Sequence, residues 1–240
     1  MKAVAKFSCS LYPLKSLTTE KSFAMSTAAN IARRLLEAGA VKLQPRKPFT
    51  WASGLRSPIY CDNRVLLSYP VIRSEVVDGL VELAAGFNNI DGVAGVATAG
   101  IPHGALLADR LGLPFVYIRS KAKEHGRQNQ IEGRVEPRFR YLVVEDLIST
   151  GGSALKAVDA LRAAGGDVAG AVAIFSYGFP AAARAFEQAE VPLRTISGYS
   201  TLLEQAVATG SISSAEAATL GTWRQDPRAW SETFSAGTKE

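Results

Sequence analysis

Chemistry concentrates in one segment of this 240-residue chain, Tyr141-Leu-Val-Val-Glu145-Asp146-Leu147-Ile148-Ser149-Thr150-Gly151-Gly152-Ser153. An apolar run suited to a buried strand leads into two adjacent carboxylates and then into a turn of small residues that opens a helix. At such a turn the backbone N–H groups point outward unpaired, the glycines let a ligand come close, and the helix dipole adds positive potential. A phosphate dianion fits there, with the hydroxyls of Ser149, Thr150 and Ser153 as further donors. No Gly-Lys-Ser/Thr follows and there is no GxGxxG, so nucleoside triphosphate and dinucleotide binding are not indicated. Carboxylates beside a phosphate cradle repel the ligand unless they hold something else, and vicinal sugar hydroxyls or a ligand-bound Mg²⁺ suit them. Phosphate at one end and hydroxyls at the other describe a ribose 5-phosphate. The plainer reading has Glu145 and Asp146 capping the helix and making surface ion pairs.

A second constellation is Arg119-Ser120-Lys121-Ala122-Lys123-Glu124-His125-Gly126, running on to Gln130-Ile131-Glu132-Gly133. Between Arg119 and Arg140 stand seven Lys or Arg and three Glu, a net +4 within a chain of formal charge +5. One short cationic segment suits a small polyanion, whereas a protein that tracks a duplex spreads its cations along a face. From Arg119 to Arg138 the chain reads as a polar connector, too long for a simple link in a compact domain and therefore a candidate lid. A solvated charged loop is the alternative. His125 fits a neutral donor, a cation near phosphate, or no role at all, and His103 reads as a helix-start residue without chemistry.

Strands and helices must position these groups. Ser26-Thr27 caps a helix over Ala28 to Glu37 with Ile31, Leu35 and Leu36 on one face. Val41 to Tyr60 alternates around Ser53-Gly54 as a hairpin-like region, and Ile72, Val76, Val77, Leu80, Leu83 and Ala84 mark an amphipathic helix. Strand then alternates with helix: Val93 to Ala97, helix from Ala105 to Leu111, strand from Leu113 to Ile118. Next come the strand at Tyr141, a helix with Leu155, Val158 and Leu161 inward, and the strand Val168 to Tyr177. That alternation predicts an α/β fold with a parallel sheet covered on both faces. Leu202 to Ala208 reads as a helix, and Ser213-x-x-Glu216 as the capping box of another.

With 47% hydrophobic and 20% charged residues, and no window of roughly 20 apolar residues, the chain reads as an ordinary globule without a membrane span. Cys9 and Cys61 stand far apart without metal-ligand spacing, which favours a reducing cytoplasm over a disulfide framework. Residues 1–24 carry four Lys, one Glu and no Arg and read as an extension: an upstream start, a tag or a weak targeting peptide. The folded unit is expected over 25–240 as a single domain.

The acidic pair and its turn resemble the phosphoribosyl diphosphate (PRPP) motif of type I phosphoribosyltransferases. Within that family, the lid pattern Arg119-x-x-x-Lys123-x-His125-Gly126 resembles that of the orotate phosphoribosyltransferases. The likeness continues through Phe49-Thr-Trp-Ala-Ser-Gly54, Ser57-Pro58 and the segment Gly95 to Pro102, over roughly residues 26–225. It implies a parallel sheet flanked by helices, a small N-terminal hood from about 26–65, C-terminal helices, and a homodimer with the lid shared across the interface. The reaction implied joins orotate to PRPP, giving orotidine 5′-phosphate and diphosphate in pyrimidine (UMP) biosynthesis, with Mg²⁺ held mainly through PRPP. No nucleic acid or membrane partner is implied.

Carried over by position, Glu145, Asp146, Leu147, Ile148, Ser149, Thr150, Gly151, Gly152 and Ser153 would hold the phosphoribosyl part, and Ser149 would also touch orotate. Arg119, Lys121, Lys123 and His125 would contact the diphosphate, and Lys123, Arg119, His125 and Asp146 would form the catalytic set. Three positions depart from the pattern. Ser120 stands where some members have Lys, with Lys121 as the substitute; Ala52 where some have a PRPP-contacting Lys; Tyr177 where some have an orotate-contacting Arg. Arg56, Arg64 or main-chain N–H groups are then candidates for the orotate carboxylate. Transfer to another base, or a PRPP-sensing regulator that binds nucleic acid, are the competing readings.

Overall fold

The structure is a computed structural model that describes residues 26–51, 53–120 and 130–237. Helix α1 (Thr27–Glu37) begins where Ser26 accepts a hydrogen bond from the Ala29 N–H, and it buries Ile31, Ala32 and Leu35. Two nested antiparallel pairs follow, β1 (Val41–Leu43) with β4 (Ile59–Cys61) outside and β2 (Phe49–Thr50) with β3 (Arg56–Ser57) inside. The expected hairpin-like alternation is present, with its tip at Gly54. A 3₁₀ turn at Asn63–Ser68 leads into α2 (Pro70–Ala84).

The central sheet comprises β5 (Gly92–Val96), β6 (Phe115–Ile118), β7 (Ile131–Glu132), β8 (Arg140–Ile148), β9 (Asp167–Ser176) and β10 (Leu193–Gly198), in the order β10-β9-β8-β5-β6-β7. Every neighbouring pair is parallel except β6 with β7. Helices α3 (Gly100–Leu111), α4 (Gly152–Ala163) and α5 (Pro180–Gln188) alternate with the strands. After β10 come α6 (Tyr199–Ala208), α7 (Ser214–Gln225) and α8 (Pro227–Gly237). Along β8, Leu142 and Val144 pack with the core residues of α1, α2, α3, α6 and α7, while Tyr141 and Val143 pack with those of α4 and α5. Alternate residues of a strand face opposite ways, so the sheet is covered on both sides, as the alternation predicts.

Several boundaries differ from the sequence expectation. α3 starts at Gly100 rather than Ala105, because Gly100 can lie against the Val144 carbonyl where any Cβ would collide. The stretch from Arg119 to Arg138 is not all polar connector: Ile131 is buried and pairs with Ile118 on β6. β10, α5 and α8 have no counterpart in the expected element list. The capping box of α7 forms as read, Ser213 and Glu216 bonding reciprocally. Among the described residues no helix is long and apolar enough to cross a membrane.

Candidate active site

Strand order reverses between β5 and β8: the chain runs outward through β6 on one side and through β9 and β10 on the other. In parallel sheets a crevice opens outside the carboxyl ends of the strands at such a switch point. The register Gly95↔Val144 sets the turn after β5 beside Glu145, so the functional segments meet at that crevice.

β8 continues through the acidic pair to Ile148, which makes Glu145 and Asp146 strand residues. Glu145 is 6% exposed, and its Oε1 accepts from the Asp146 N–H at 3.0 Å. Burial, then the neighbouring Asp146 charge, raises the Glu145 carboxyl above the usual carboxylate range, and burial likewise raises Asp146. This excludes the plain reading of surface ion pairs; no salt bridge involves either residue among those described. Asn63, fully buried in the 3₁₀ turn, donates to the Asp146 carbonyl at 2.8 Å and accepts from the Cys61 thiol at 3.3 Å. That clamp fixes the backbone that carries the acids. A cavity of about 350 Å³ opens in front of the pair and is also lined by Ala97, Thr98 and Ser153.

At the end of β8 the turn reaches Gly151, whose φ of +84° and close contact with the Phe186 ring exclude a side chain. A cavity of about 250 Å³ lies over residues 147–154, with Lys156 at its edge. Lys156 also lines a smaller space of about 110 Å³ together with Ala97, Arg119 and Ser153. Lys156 belongs to no motif in the sequence; its one signal is a cation one helical turn past Ser153, on the same face. Arg119 directly follows β6, its backbone N–H donates to the Gln130 carbonyl at 2.8 Å, and its guanidinium lies 3.6 Å from Glu132. The base of the cationic segment is thus a strand pair that sets Arg119 beside Ser153 and Lys156. Lys121, Lys123 and His125 lie outside the described residues, as does Ala52.

On the other side of Leu147 and Ser149 is an aromatic slot of about 330 Å³, lined also by Thr50, Trp51, Tyr60, Cys61 and Tyr177. The Trp51 and Tyr177 rings are 5.8 Å apart, Tyr177 stacks on Phe179 at 5.4 Å, and Trp51 Nε1 donates to the Ile59 carbonyl. Burial pushes the Tyr177 phenol up, so it stays neutral. Neither Arg56 nor Arg64 lines the slot: Arg64 is held by Asp62 at 2.6 and 2.8 Å beside the acids, and Arg56 sits exposed on β3. His103 is buried with neither ring nitrogen partnered among the described residues, and burial, then Arg73, lowers its pKa to about 4. It is a neutral core residue of α3, as expected.

Comparison with known proteins follows the same lines. The family model for the phosphoribosyl transferase domain matches residues 76–192. The orotate phosphoribosyltransferase of Cutibacterium acnes is 55% identical over 206 residues, which are 85% of this chain and 95% of that protein. The chain belongs to the orotate phosphoribosyltransferase family. Among solved structures, the orotate phosphoribosyltransferase from Aeropyrum pernix is 35% identical with a TM-score of 0.66, covering 73% of this chain and 97% of its own. The Mycobacterium tuberculosis orotate phosphoribosyltransferase in complex with PRPP is 26% identical with a TM-score of 0.58, covering 73% and 98%. The type I phosphoribosyltransferase fold, a mostly parallel sheet flanked by helices, is therefore this chain's fold. The acid cavity, the cavity over the 149–153 turn and the aromatic slot adjoin one another, and Leu147 lines all three.

Proposed function

We propose that this chain transfers the 5-phosphoribosyl group of PRPP to orotate, giving orotidine 5′-phosphate and diphosphate for UMP synthesis in the cytoplasm. The observation that carries this reading is the shared lining. Ser153 belongs to both the phosphate and the acid cavities, and Leu147 and Ser149 to both the phosphate cavity and the aromatic slot. One ligand can therefore span from phosphate to ring. In this reading the backbone N–H groups and hydroxyls from Ser149 to Ser153 hold the 5-phosphate, with Lys156 as an added cation. Glu145 and Asp146 accept from the ribose hydroxyls, which gives buried Glu145 and half-buried Asp146 partners beyond each other.

The diphosphate lies by Ala97 and Thr98, where Arg119 from the lid base and Lys121, Lys123 and His125 neutralise it as it leaves. Residues 25–240 act as one domain, with 26–65 as the hood. Among the described residues no group of three or more acidic, His or Cys side chains forms a metal cage. The two carboxylates offer hard oxygen donors, which fit Mg²⁺ that arrives on PRPP rather than a resident ion. Bound there, Mg²⁺ supplies charge neutralisation of the diphosphate. The exposed apolar side chains of Tyr69 and Val71 at the start of α2, and of Leu106 on α3, a helix that α2 contacts, support a homodimer through which the lid is shared.

The test is loss of orotate absorbance with PRPP and Mg²⁺, with each component omitted in turn and with adenine, hypoxanthine, guanine and uracil in parallel. Turnover of orotate alone is expected. Consumption of another base in its place overturns the choice of acceptor, and tight PRPP binding without any turnover overturns the enzyme reading.

A further inference from the structure

The aromatic slot has no cationic side chain among its described lining residues. Orotate is an acid, and a carboxylate held against aromatic rings without a cation loses its hydration uncompensated. The slot does not end at its own walls, however. Trp51 and Ser149 also line a larger cavity of about 680 Å³, bounded by the start of α5 and by the link between α7 and α8. Three arginines face this cavity: Arg184, Arg224 and Arg228. Its one carboxylate among the described lining residues, Asp226, turns Oδ1 to the N–H groups of Arg228 and Ala229, from which it accepts.

The three arginines are not equivalent. Arg184 and Arg228 are exposed, whereas Arg224 is half-buried and held from two sides. Its Nη1 donates to Ser200 Oγ at 2.9 Å, and its Cζ lies 5.8 Å from the centre of the Tyr199 ring. The same Nη1 approaches Gly178, where an added Cβ would sit 3.7 Å from it, and Gly178 directly follows Tyr177 of the slot. Arg224 makes no ion pair among the described residues, so its remaining N–H donors are uncommitted to any acid. A planar guanidinium already oriented by a hydroxyl and a ring pays little to bind a carboxylate with two parallel hydrogen bonds.

We propose that Arg224, supplied by α7 from outside the core sheet, is the residue that recognises the carboxylate of the pyrimidine acid and so sets specificity for it. The proposal rests on the orotate reading above and assigns the ligand contact that Arg56 and Arg64 do not provide.

The experiment compares the unmutated chain with Arg224→Gln, Arg224→Lys and Arg184→Gln, after thermal unfolding has shown that each variant is folded. Steady-state KM is read for orotate and for PRPP, and competitive inhibition is read for the carboxamide of orotate, which keeps the ring and loses the charge. Arg224→Gln is expected to raise KM for orotate by about tenfold or more, as removal of a charge-assisted pair does. KM for PRPP and the inhibition constant of the carboxamide stay near their original values, and Arg224→Lys recovers part of the loss. Three results overturn the proposal: unchanged KM for orotate in Arg224→Gln, equal weakening of orotate and carboxamide, or the whole loss appearing in Arg184→Gln. If the unmutated chain fails to consume orotate, the functional reading falls first and this assignment with it.

Discussion

Glu145 lies at the carboxyl end of a central strand, 6% exposed, with Asp146 beside it and no cation paired to either among the described residues. The folded protein therefore holds its proton more tightly than the unfolded chain, whose value is near 4.5. Its contribution to stability is full below that value and is lost as pH rises through the raised folded value. Ligand-free protein is expected to show a falling urea midpoint between pH 5 and pH 9, and Glu145→Gln to flatten that fall; an unchanged slope in the variant would refute the assignment. The same substitution is expected to weaken PRPP binding, since an amide cannot release a proton on binding to become the carboxylate that accepts best from ribose hydroxyls. Residue types in the acid–turn segment are readable from sequence because strand, acids and glycines are contiguous. Asn63 is not, since its role depends on a carbonyl 83 residues away, which a linear pattern does not reveal.

Elements are legible in proportion to how much apolar surface they bury. β8 and β9 sit in the middle of the sheet and read as apolar runs, Tyr141 to Val144 and Val168 to Phe175. β10 is an edge strand, where only Ile196 and Ser197 are buried, and Arg194 and Thr195 interrupt any run. α5 buries only Ala182 and Phe186 and opens with three alanines after its proline, so its periodicity is faint. The early start of α3 escapes a periodicity argument because it follows from clearance at Gly100 rather than from side-chain pattern. There Gly100→Ala is expected to push α3 away from β8 just ahead of Glu145. The expected cost is about 1–3 kcal/mol of overpacking strain, read as a lower denaturation midpoint, with PRPP affinity falling as well. Wild-type stability and affinity together in that variant would show that the close approach is dispensable.

Across the whole molecule, the C-terminal helices close the site by gripping the antiparallel layer. Arg46 Nε lies 3.0 Å from the Glu216 carboxylate, Trp51 meets Trp223 edge-on at 5.8 Å, and the Arg56 N–H donates to Ser231 Oγ at 2.9 Å. Ser231 is buried, so Ser231→Ala leaves the Arg56 N–H without that acceptor. The expected cost is about 1–3 kcal/mol, seen as a Tm lowered by several degrees. An unchanged Tm would mean that water replaces the hydroxyl. The fold class follows from the strand–helix alternation, whereas this grip joins residues at opposite ends of the described chain and leaves no local trace in sequence.

The grip also orders events in time. Chain elongation proceeds at roughly 5–20 residues per second, N-terminal part first. The phosphate turn between β8 and α4 is therefore made several seconds before α7 and α8 can seat against Trp51 and Arg56. During biosynthesis the growing polypeptide passes through a stage in which the 149–153 turn has been synthesised while the core that β8 shares with Leu220 and Trp223 of α7 is still incomplete. Ribosomes that stall in that interval would leave nascent chains in which Trp51 lacks Trp223 and the Arg56 N–H lacks Ser231.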